Sequence, residues 1–379
     1  MFANIIGFCD SLSRSSNPIQ VTCTMENATE SRLAFTSSVA ADVWHPQKED
    51  KSYEWWYFDA LSDDGREAVV IIFLDNFIYS PRYNRETTRI AGNKRCPAVS
   101  FTYFRDGKVL YRSVTEFHYS DFRAAEDVPK CTIGESGFHF DSAEYGSGYS
   151  VKVNATLPGE KVVEAELEWL DVEADLTADV TEMRGGVHCW NMVSPRADVT
   201  GRITLKERSG RELNVHHFRG TGYHDHNLDN RWLARTVESW HWGRAHFADC
   251  TAVFFRFREA ASEDATTKLL VIRDGRMEDL EVQFDEQNYV RDKFGLRYPS
   301  LLTLRSGNDI RLTVRPTEVI DSSFYFLRFL SEISIGLGGS TEHSTIGITE
   351  FIAPKSLKYR WLNWLSDIRT GKEGKSSYF

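Results

Sequence analysis

The sequence predicts an all-β chain of two tandem β-barrel or sandwich domains, with a short C-terminal helix. Three observations carry this. Short alternating runs recur at regular spacing with turn residues between them. Aromatic residues make up 13% of the chain, and such side chains favour strands and apolar pockets. Long helical periodicity is almost absent.

Residues 1–45, rich in Ser, Thr and Asn and weakly patterned, are expected to form an extended lead-in. A first β-domain is expected over 46–215. Val69 to Leu74 is an apolar run that follows the turn Ser62-Asp63-Asp64-Gly65. Val99 to Phe104 and Lys108 to Ser113 flank Asp106-Gly107, a hairpin signal. Tyr149 to Leu157 alternates and stops at Pro158-Gly159, Val162 to Leu170 repeats the alternation, and Val199 to Glu207 with Glu212 to Phe218 flanks Ser209-Gly210. The second domain is expected over 216–379. Thr251 to Arg258, Leu269 to Arg273, Leu280 to Phe284, Ser300 to Leu304 and Ile310 to Pro316 continue the pattern, with turns at Asp274-Gly275 and Gly307-Asn308. Ser356 to Ile368 reads as the helix, with Leu357, Trp361, Trp364, Leu365 and Ile368 on one face and Lys355, Lys358, Arg360 and Arg369 around it. It either packs on a barrel or rests on a membrane surface.

The bulk numbers exclude some functions. A formal net charge of −10 gives no support for a nucleic-acid partner. The six cysteines are scattered with no CxxC pair, so neither a zinc ribbon nor a dithiol redox site is indicated, and reduced thiols in a cytoplasmic protein are the simplest reading. The opening Met-Phe-Ala-Asn-Ile-Ile-Gly-Phe lacks a basic n-region, and no apolar run approaches the ~18 residues that span a bilayer. The expectation is a soluble or peripherally attached chain.

Three clusters bear chemistry. In Tyr53-Glu54-Trp55-Trp56-Tyr57-Phe58-Asp59, strand alternation sends Tyr53, Trp55, Tyr57 and Asp59 one way and Glu54, Trp56 and Phe58 the other. Both faces are aromatic. The stretch is either a buried central strand or an aromatic wall for a large apolar ligand, with Glu54 a carboxyl whose pKa burial would raise. In His188-Cys189-Trp190, His188 and Trp190 share a face if the chain is extended. In Gly220-Thr221-Gly222-Tyr223-His224-Asp225-His226-Asn227, the glycines allow a bulge or close backbone approach at a strand end, and Asn227 can close the turn. Tyr223 and Asp225 take one face, His224 and His226 the other. Trp240 and Trp242 share a face further on, with His241 opposite.

Seven of the eleven histidines lie between 188 and 246, and His224 with His226 could ligate one metal. No HExxH or Cys/His spacing supports a metal site. No GxSxG, GxGxxG or P-loop is present, so no nucleophilic serine or nucleotide cofactor is indicated. What remains is acid chemistry in an aromatic cavity, without a cofactor, on a hydrophobic small molecule. Protonating an alkene needs a carboxyl kept neutral until used, and the resulting cation needs aromatic faces. Asp225, Tyr223 and Trp190 are the candidate catalytic set. Glu54, Trp55, Trp56, Tyr57, His188, Trp240 and Trp242 are the candidate binding residues.

At these residues the chain resembles the hydroxyneurosporene synthases, or carotenoid 1,2-hydratases. The matching pieces are Tyr53-Glu54-Trp55-Trp56-Tyr57-Phe58-Asp59, the run from His188 to Ala197, the Gly220 to Asn227 segment followed by Ser239-Trp240-His241-Trp242-Gly243-Arg244-Ala245, and Gly347-Ile348-Thr349-Glu350-Phe351. The resemblance implies two tandem lipocalin-like β-domains with a pocket near their interface. It places the acid and cation-stabilising roles on Tyr223, Asp225 and Trp190. The same scaffold serves natural-product Diels–Alderases and other cyclases. Three readings therefore stand: a hydratase or cyclase acting on an isoprenoid or polyene alkene, a pericyclase, and a non-catalytic carrier of lipophilic ligands.

Overall fold

The computed structural model describes residues 33–84, 95–143, 146–177, 186–307, 310–338, 342–362, 364–367 and 369–372. Most of the expected lead-in, residues 1–32, lies outside them. The described residues are overwhelmingly strand, as the alternating pattern predicts. The first sheet begins with β1 (Leu33–Thr36), β2 (Tyr53–Ser62), β3 (Glu67–Leu74), β4 (Ala98–Arg105) and β5 (Lys108–Glu116). It continues with β6 (Phe122–Ala124), β7 (Lys130–Ile133), β8 (Ser136–Ala143), β9 (Gly146–Leu157), β10 (Lys161–Glu173), β11 (His188–Glu207) and β12 (Glu212–Asp229). The second sheet holds β13 (Val237–His246), β14 (Thr251–Glu259), β15 (Ala265–Arg273), β16 (Arg276–Leu280) and β17 (Gln283–Arg291). Its remaining strands are β18 (Arg297–Ser306), β19 (Ile310–Ser322), β20 (Phe326–Leu337) and β21 (His343–Ile352). The short β22 (Thr370–Lys372) returns to the first sheet and pairs in parallel with β5.

Hairpins set most of the order. Asp106 and Gly107 both take positive φ (50° and 75°) in the tight turn between β4 and β5. Asp274 and Gly275 (48° and 68°) do the same between β15 and β16. Two non-local pairings position the site. β2 lies antiparallel to β12, with Asp225 opposite Tyr57 and Asn227 opposite Trp55. β13 joins β21, with Trp242 opposite Glu350.

Strand alternation then distributes the side chains among separate cores. Trp56, Phe58, Phe73, Phe101, Tyr149 and Trp169 fill the inside of the first sheet. Phe254, Leu269, Leu304, Leu312 and Ile333 fill the second. A third apolar cluster, with Tyr53, Tyr57, Trp190, Tyr223, Trp242 and Phe255 among its members, draws on strands of both sheets. Arg244 of β13 is fully buried and donates to Asp59 of β2 (Nε to Oδ1, 2.9 Å), and Arg112 of β5 donates to Asp321 of β19 (2.9 Å).

Two local expectations change. β12 does not stop near Phe218 but runs unbroken to Asp229, so Gly220 and Gly222 sit inside a strand rather than at its end. Close packing is the reason for both glycines. A Cβ on Gly222 would stand 2.3 Å from Trp169 Nε1 and 2.8 Å from the Asp59 carbonyl oxygen, and one on Gly220 would stand 1.9 Å from the Leu61 carbonyl oxygen. The segment expected as one helix from Ser356 to Ile368 instead forms two 3-10 turns, Pro354–Lys358 and Arg360–Leu362. Its backbone is committed elsewhere. Phe324 N–H donates to the Leu365 carbonyl (3.0 Å) and Asp367 N–H to the Ser322 carbonyl (2.9 Å), pairings a continuous helix would forfeit. Leu357 is buried, but Trp361 and Trp364 are 71% and 63% exposed, so the expected common face does not form.

Candidate active site

Three neighbouring strands of the first sheet present one face to the inter-sheet core. β11 supplies His188 and Trp190, β12 supplies Tyr223, Asp225 and Asn227, and β2 supplies Trp55 and Tyr57. β13, β14 and β21 of the second sheet supply Trp240, Trp242, Phe255 and Glu350. Trp55, Tyr57, His188, Trp190, Asp225, Asn227, Trp240, Trp242, Phe255 and Glu350 enclose a cavity of about 40 Å³. That is room for roughly two or three waters. A second cavity of about 60 Å³ shares Trp55, Tyr57, Trp240 and Glu350 with it and runs on past Leu74, Phe77, Phe326 and Ile352. The two adjoin along these four residues, and the second forms an apolar tract whose charged lining is Arg112, Asp321, Arg328 and Glu350.

Asp225 is the centre of the polar contacts. Its Oδ2 accepts from the Tyr223 hydroxyl (2.8 Å) and from Trp190 Nε1 (3.1 Å), and its Oδ1 accepts from Asn227 Nδ2 (2.8 Å). All three donors are neutral. Burial pushes the carboxyl up to about 8, against the pull of the Tyr223 hydrogen bond, and the charge of Glu350 adds to the rise. The group is therefore mostly protonated at neutral pH, while three donors stand ready for the carboxylate it leaves behind. Burial likewise drives the Tyr223 hydroxyl well above its ordinary range, so it donates rather than ionises. His188 is kept neutral by burial, which takes it down to about 3, and its Nδ1 lies 3.3 Å from the Tyr53 hydroxyl.

Aromatic faces surround this carboxyl. The Tyr223 and Trp242 rings lie 5.0 Å apart, Tyr57 and Trp242 5.3 Å, Trp190 and Phe255 5.1 Å, and Trp55 and Trp240 6.2 Å. Of the residues singled out from sequence, Asp225, Tyr223, Trp190, Trp55, Tyr57, His188, Trp240 and Trp242 meet here. Glu54 and Trp56 do not. They occupy the other face of β2, inside the first sheet, where Trp56 stacks on His226 at 4.7 Å and Glu54 accepts from His226 Nε2 (2.8 Å) and from the His45 backbone N–H (3.0 Å).

That reverse face is a buried charge network. His226 lies between Glu54 and Asp42, with its Nδ1 3.2 Å from Asp42 Oδ1. His224 Nε2 and the Tyr149 hydroxyl both meet Asp42 Oδ2, at 3.0 and 2.7 Å. Burial opposes charge on His226, but the two carboxylates overcome it and raise the imidazole to about 9. Against the same burial, His224 and His226 hold Asp42 down to about 2. His45, Glu54 and His226 bring ligand atoms within 4.8 Å of one another. Carboxylates on both sides of the His226 ring are the partners an imidazolium takes.

Sequence reasoning missed Asn227, Phe255 and Glu350. Asn227 was expected to close a turn, yet it continues the 223, 225, 227 alternation along β12. Phe255 follows the same rule on β14, between Val253 and Phe257. Glu350 carried a signal too, as a carboxyl near apolar positions of a strand.

A profile of the carotenoid hydratase CrtC family matches residues 70–373. The chain is 26% identical over 367 residues to the hydroxyneurosporene dehydrogenase of Chlorobaculum tepidum, covering 91% of this chain and 94% of that protein. It is 24% identical over 315 residues to the acyclic carotenoid 1,2-hydratase of Thiocapsa roseopersicina, covering 80% of this chain and 70% of that one. In fold it is similar to an AttH-type protein of Nitrosomonas europaea (TM-score 0.53, 14% identity, 80% of this chain and 93% of that one). It is also similar to kievitone hydratase of Nectria haematococca (TM-score 0.51, 12% identity, 85% and 96%). The two sheets are the tandem lipocalin-like β-domains that the resemblance implied. With its profile match spanning most of the molecule, the chain belongs to the carotenoid hydratase CrtC family.

Proposed function

We propose that the protein is a cofactor-independent hydratase of an acyclic polyene, with Asp225 as the acid that starts the reaction. One observation carries this reading. Asp225 is a buried carboxyl whose hydrogen-bond partners are all neutral, in a cavity otherwise walled mainly by aromatic rings. The neutral acid gives its proton to one carbon of a terminal double bond, and positive charge appears on the more substituted neighbour. Trp55, Trp190, Trp240 and Trp242 offer ring faces to that cation, each contact worth ~2 kcal/mol when water is excluded. Tyr223, Trp190 and Asn227 stabilise the Asp225 carboxylate as it forms, which favours the transition state over the bound alkene. Water then adds to the cation. The tract past Leu74, Phe77 and Ile352 takes the rest of the chain, with side chains swinging aside to admit it. The exposed Trp361 and Trp364, beside Lys355 and Lys358, support docking at the lipid surface where such a substrate dissolves.

The test is incubation with acyclic carotenoids and shorter polyprenes in heavy water, read by mass spectrometry. The expected product carries one deuterium on carbon and one added hydroxyl, and Asp225→Asn forms none while still binding the polyene. Deuterated but cyclised or isomerised product would replace hydration with cyclisation. Equal ligand retention by both proteins without turnover would favour a carrier.

A further inference from the structure

Hydration needs a second proton transfer, because the water that adds must lose a proton. We propose that Glu350 is the base that takes it. This rests on the reading of Asp225 as the acid. Glu350 lines the same cavity as Asp225 but stands on β21 of the second sheet, whereas Asp225 stands on β12 of the first. A planar cation held between the sheets therefore turns one face to each carboxyl.

The pairing of Glu350 leaves it equipped for the role. Arg328 on the neighbouring β20 donates from Nε to Glu350 Oε1 (2.8 Å), and its Nη2 lies 2.8 Å from the same oxygen. Oε2 receives no donor among the described residues. Arg328 is itself anchored by Asp321 (2.5 Å), so the guanidinium stays in place whatever the protonation state of Glu350. Burial raises Glu350 from its ordinary carboxylate value, and the Arg328 guanidinium opposes that rise by favouring the ionised form. Glu350 is also one of the four residues common to both cavities, so it meets substrate and water alike.

The step balances as follows. Asp225 gives H⁺ to carbon and the alkene π pair forms the C–H bond. A water lone pair forms the C–O bond, and the O–H bond that breaks leaves its electrons on oxygen and its proton on Glu350. The cavity water then carries that proton back toward Asp225, and the net change is alkene plus water to alcohol.

This predicts a separation that a structural role for Glu350 would not give. With acid and base distinct, Glu350→Gln still protonates the alkene, and the untrapped cation returns to an alkene by losing a proton from an adjacent methyl or methylene carbon to the Asp225 carboxylate, so recovered alkene, original or shifted by one bond, gains deuterium from heavy water at close to the parental rate. Hydration falls by roughly 10²- to 10⁴-fold, the usual range for a lost general base. Asp225→Asn loses both exchange and hydration. In Glu350→Ala, added formate restores part of the hydration by supplying a carboxylate. Equal loss of exchange and hydration in Glu350→Gln, with no formate rescue in Glu350→Ala, would overturn the assignment, as would unchanged hydration. If the parent protein neither exchanges nor hydrates, the Asp225 reading itself fails, which Glu350→Gln alone would never show.

Discussion

Tyr223 and Asp225 stand two residues apart on one face of β12, and the Tyr223 hydroxyl donates to the Asp225 carboxyl at 2.8 Å. The bond lowers the pKa of an acid that burial raises, so it tunes how readily Asp225 gives up its proton. Tyr223→Phe removes that donor and keeps the ring against Trp242. Hydrogen bonds to a charged group are worth ~1.5–3 kcal/mol, so turnover is expected to fall roughly 10- to 100-fold. With Asp225 as the proposed acid, the active form is the protonated carboxyl, so activity should decline tenfold per unit above the value of about 8, and fall again on the acid side where the proposed base Glu350 takes up its proton. In Tyr223→Phe the alkaline decline moves to higher pH, because a weaker acid keeps its proton longer. A pH–rate profile for both proteins checks the sign, and a shift to lower pH would contradict it.

The reverse face of the same strand predicts a stability effect. His226 is an imidazolium between Asp42 and Glu54, and His226→Ala strands two carboxylates in the core. Breaking a buried pair in this way costs about 3–5 kcal/mol. The pH dependence follows from the two shifts. The His226 value rises from 6.5 to about 9, so its stabilisation is complete below 6.5 and lost as pH climbs through 9. The Asp42 value falls from 3.8 to about 2, so its stabilisation is present above 3.8 and lost as pH drops toward 2. Both contributions are complete between pH 3.8 and 6.5, and each is lost on its own side of that window. In His226→Ala the part of the alkaline fall due to His226 should disappear, which thermal melts across pH would show.

Gly222 couples the two faces of the site to the packing behind it. A methyl group at this position would press on Trp169 Nε1 and on Val199 Cγ2 at 2.5 Å, and Trp169 Nε1 already donates to the Asp59 carbonyl (3.3 Å). Gly222→Ala is expected to cost about 1–3 kcal/mol through overpacking. The strain falls on β12 next to Tyr223, so turnover per folded molecule should also drop. Denaturant melts with activity normalised to folded protein separate the two effects. Full activity with full stability would show that β2 and β12 can part more easily than their register indicates.

How much of this was legible in the sequence depends on whether a feature is local. Alternation along β2 separated Tyr57 from Glu54, and alternation along β12 separated Tyr223 and Asp225 from His224 and His226, because side-chain direction in a strand follows from position alone. What alternation cannot give is the partner. His226 meets Glu54 across 172 residues and His224 meets Asp42 across 182, and nothing near either histidine in the chain announces a carboxylate. Glu54 was singled out for a pocket it does not face, since a strand aromatic on both sides does not reveal which side is the cavity. Glu350 escaped notice because its significance comes from β21 lying opposite β11 and β12, a relation set by the packing of two sheets. The tail misled for a similar reason. Its helical spacing is real, but Phe324 and Ser322 bind its backbone first.

That tail gives the last prediction. Trp361 and Trp364 are the most exposed large apolar side chains among the described residues, and Tyr359 beside them is 48% exposed. Solvent-facing tryptophans next to Lys355 and Lys358 match the headgroup region of a bilayer, where an indole finds both an apolar and a polar setting. Buried Leu357 ties the segment to the inter-sheet core, so docking would bring the apolar tract close to the lipid. The chain as a whole is acidic, with a net charge of −10, and attachment to anionic vesicles through this patch should weaken as salt screens the lysines. Replacing both tryptophans by alanine is expected to reduce co-sedimentation with such vesicles several-fold. The melting temperature should not change, because neither side chain packs in the core. Hydration of a short, water-dispersed polyene should also survive, while hydration of vesicle-embedded substrate falls. Equal sedimentation of parent and variant would remove the lipid surface as the partner of this segment and leave the tryptophans without that role.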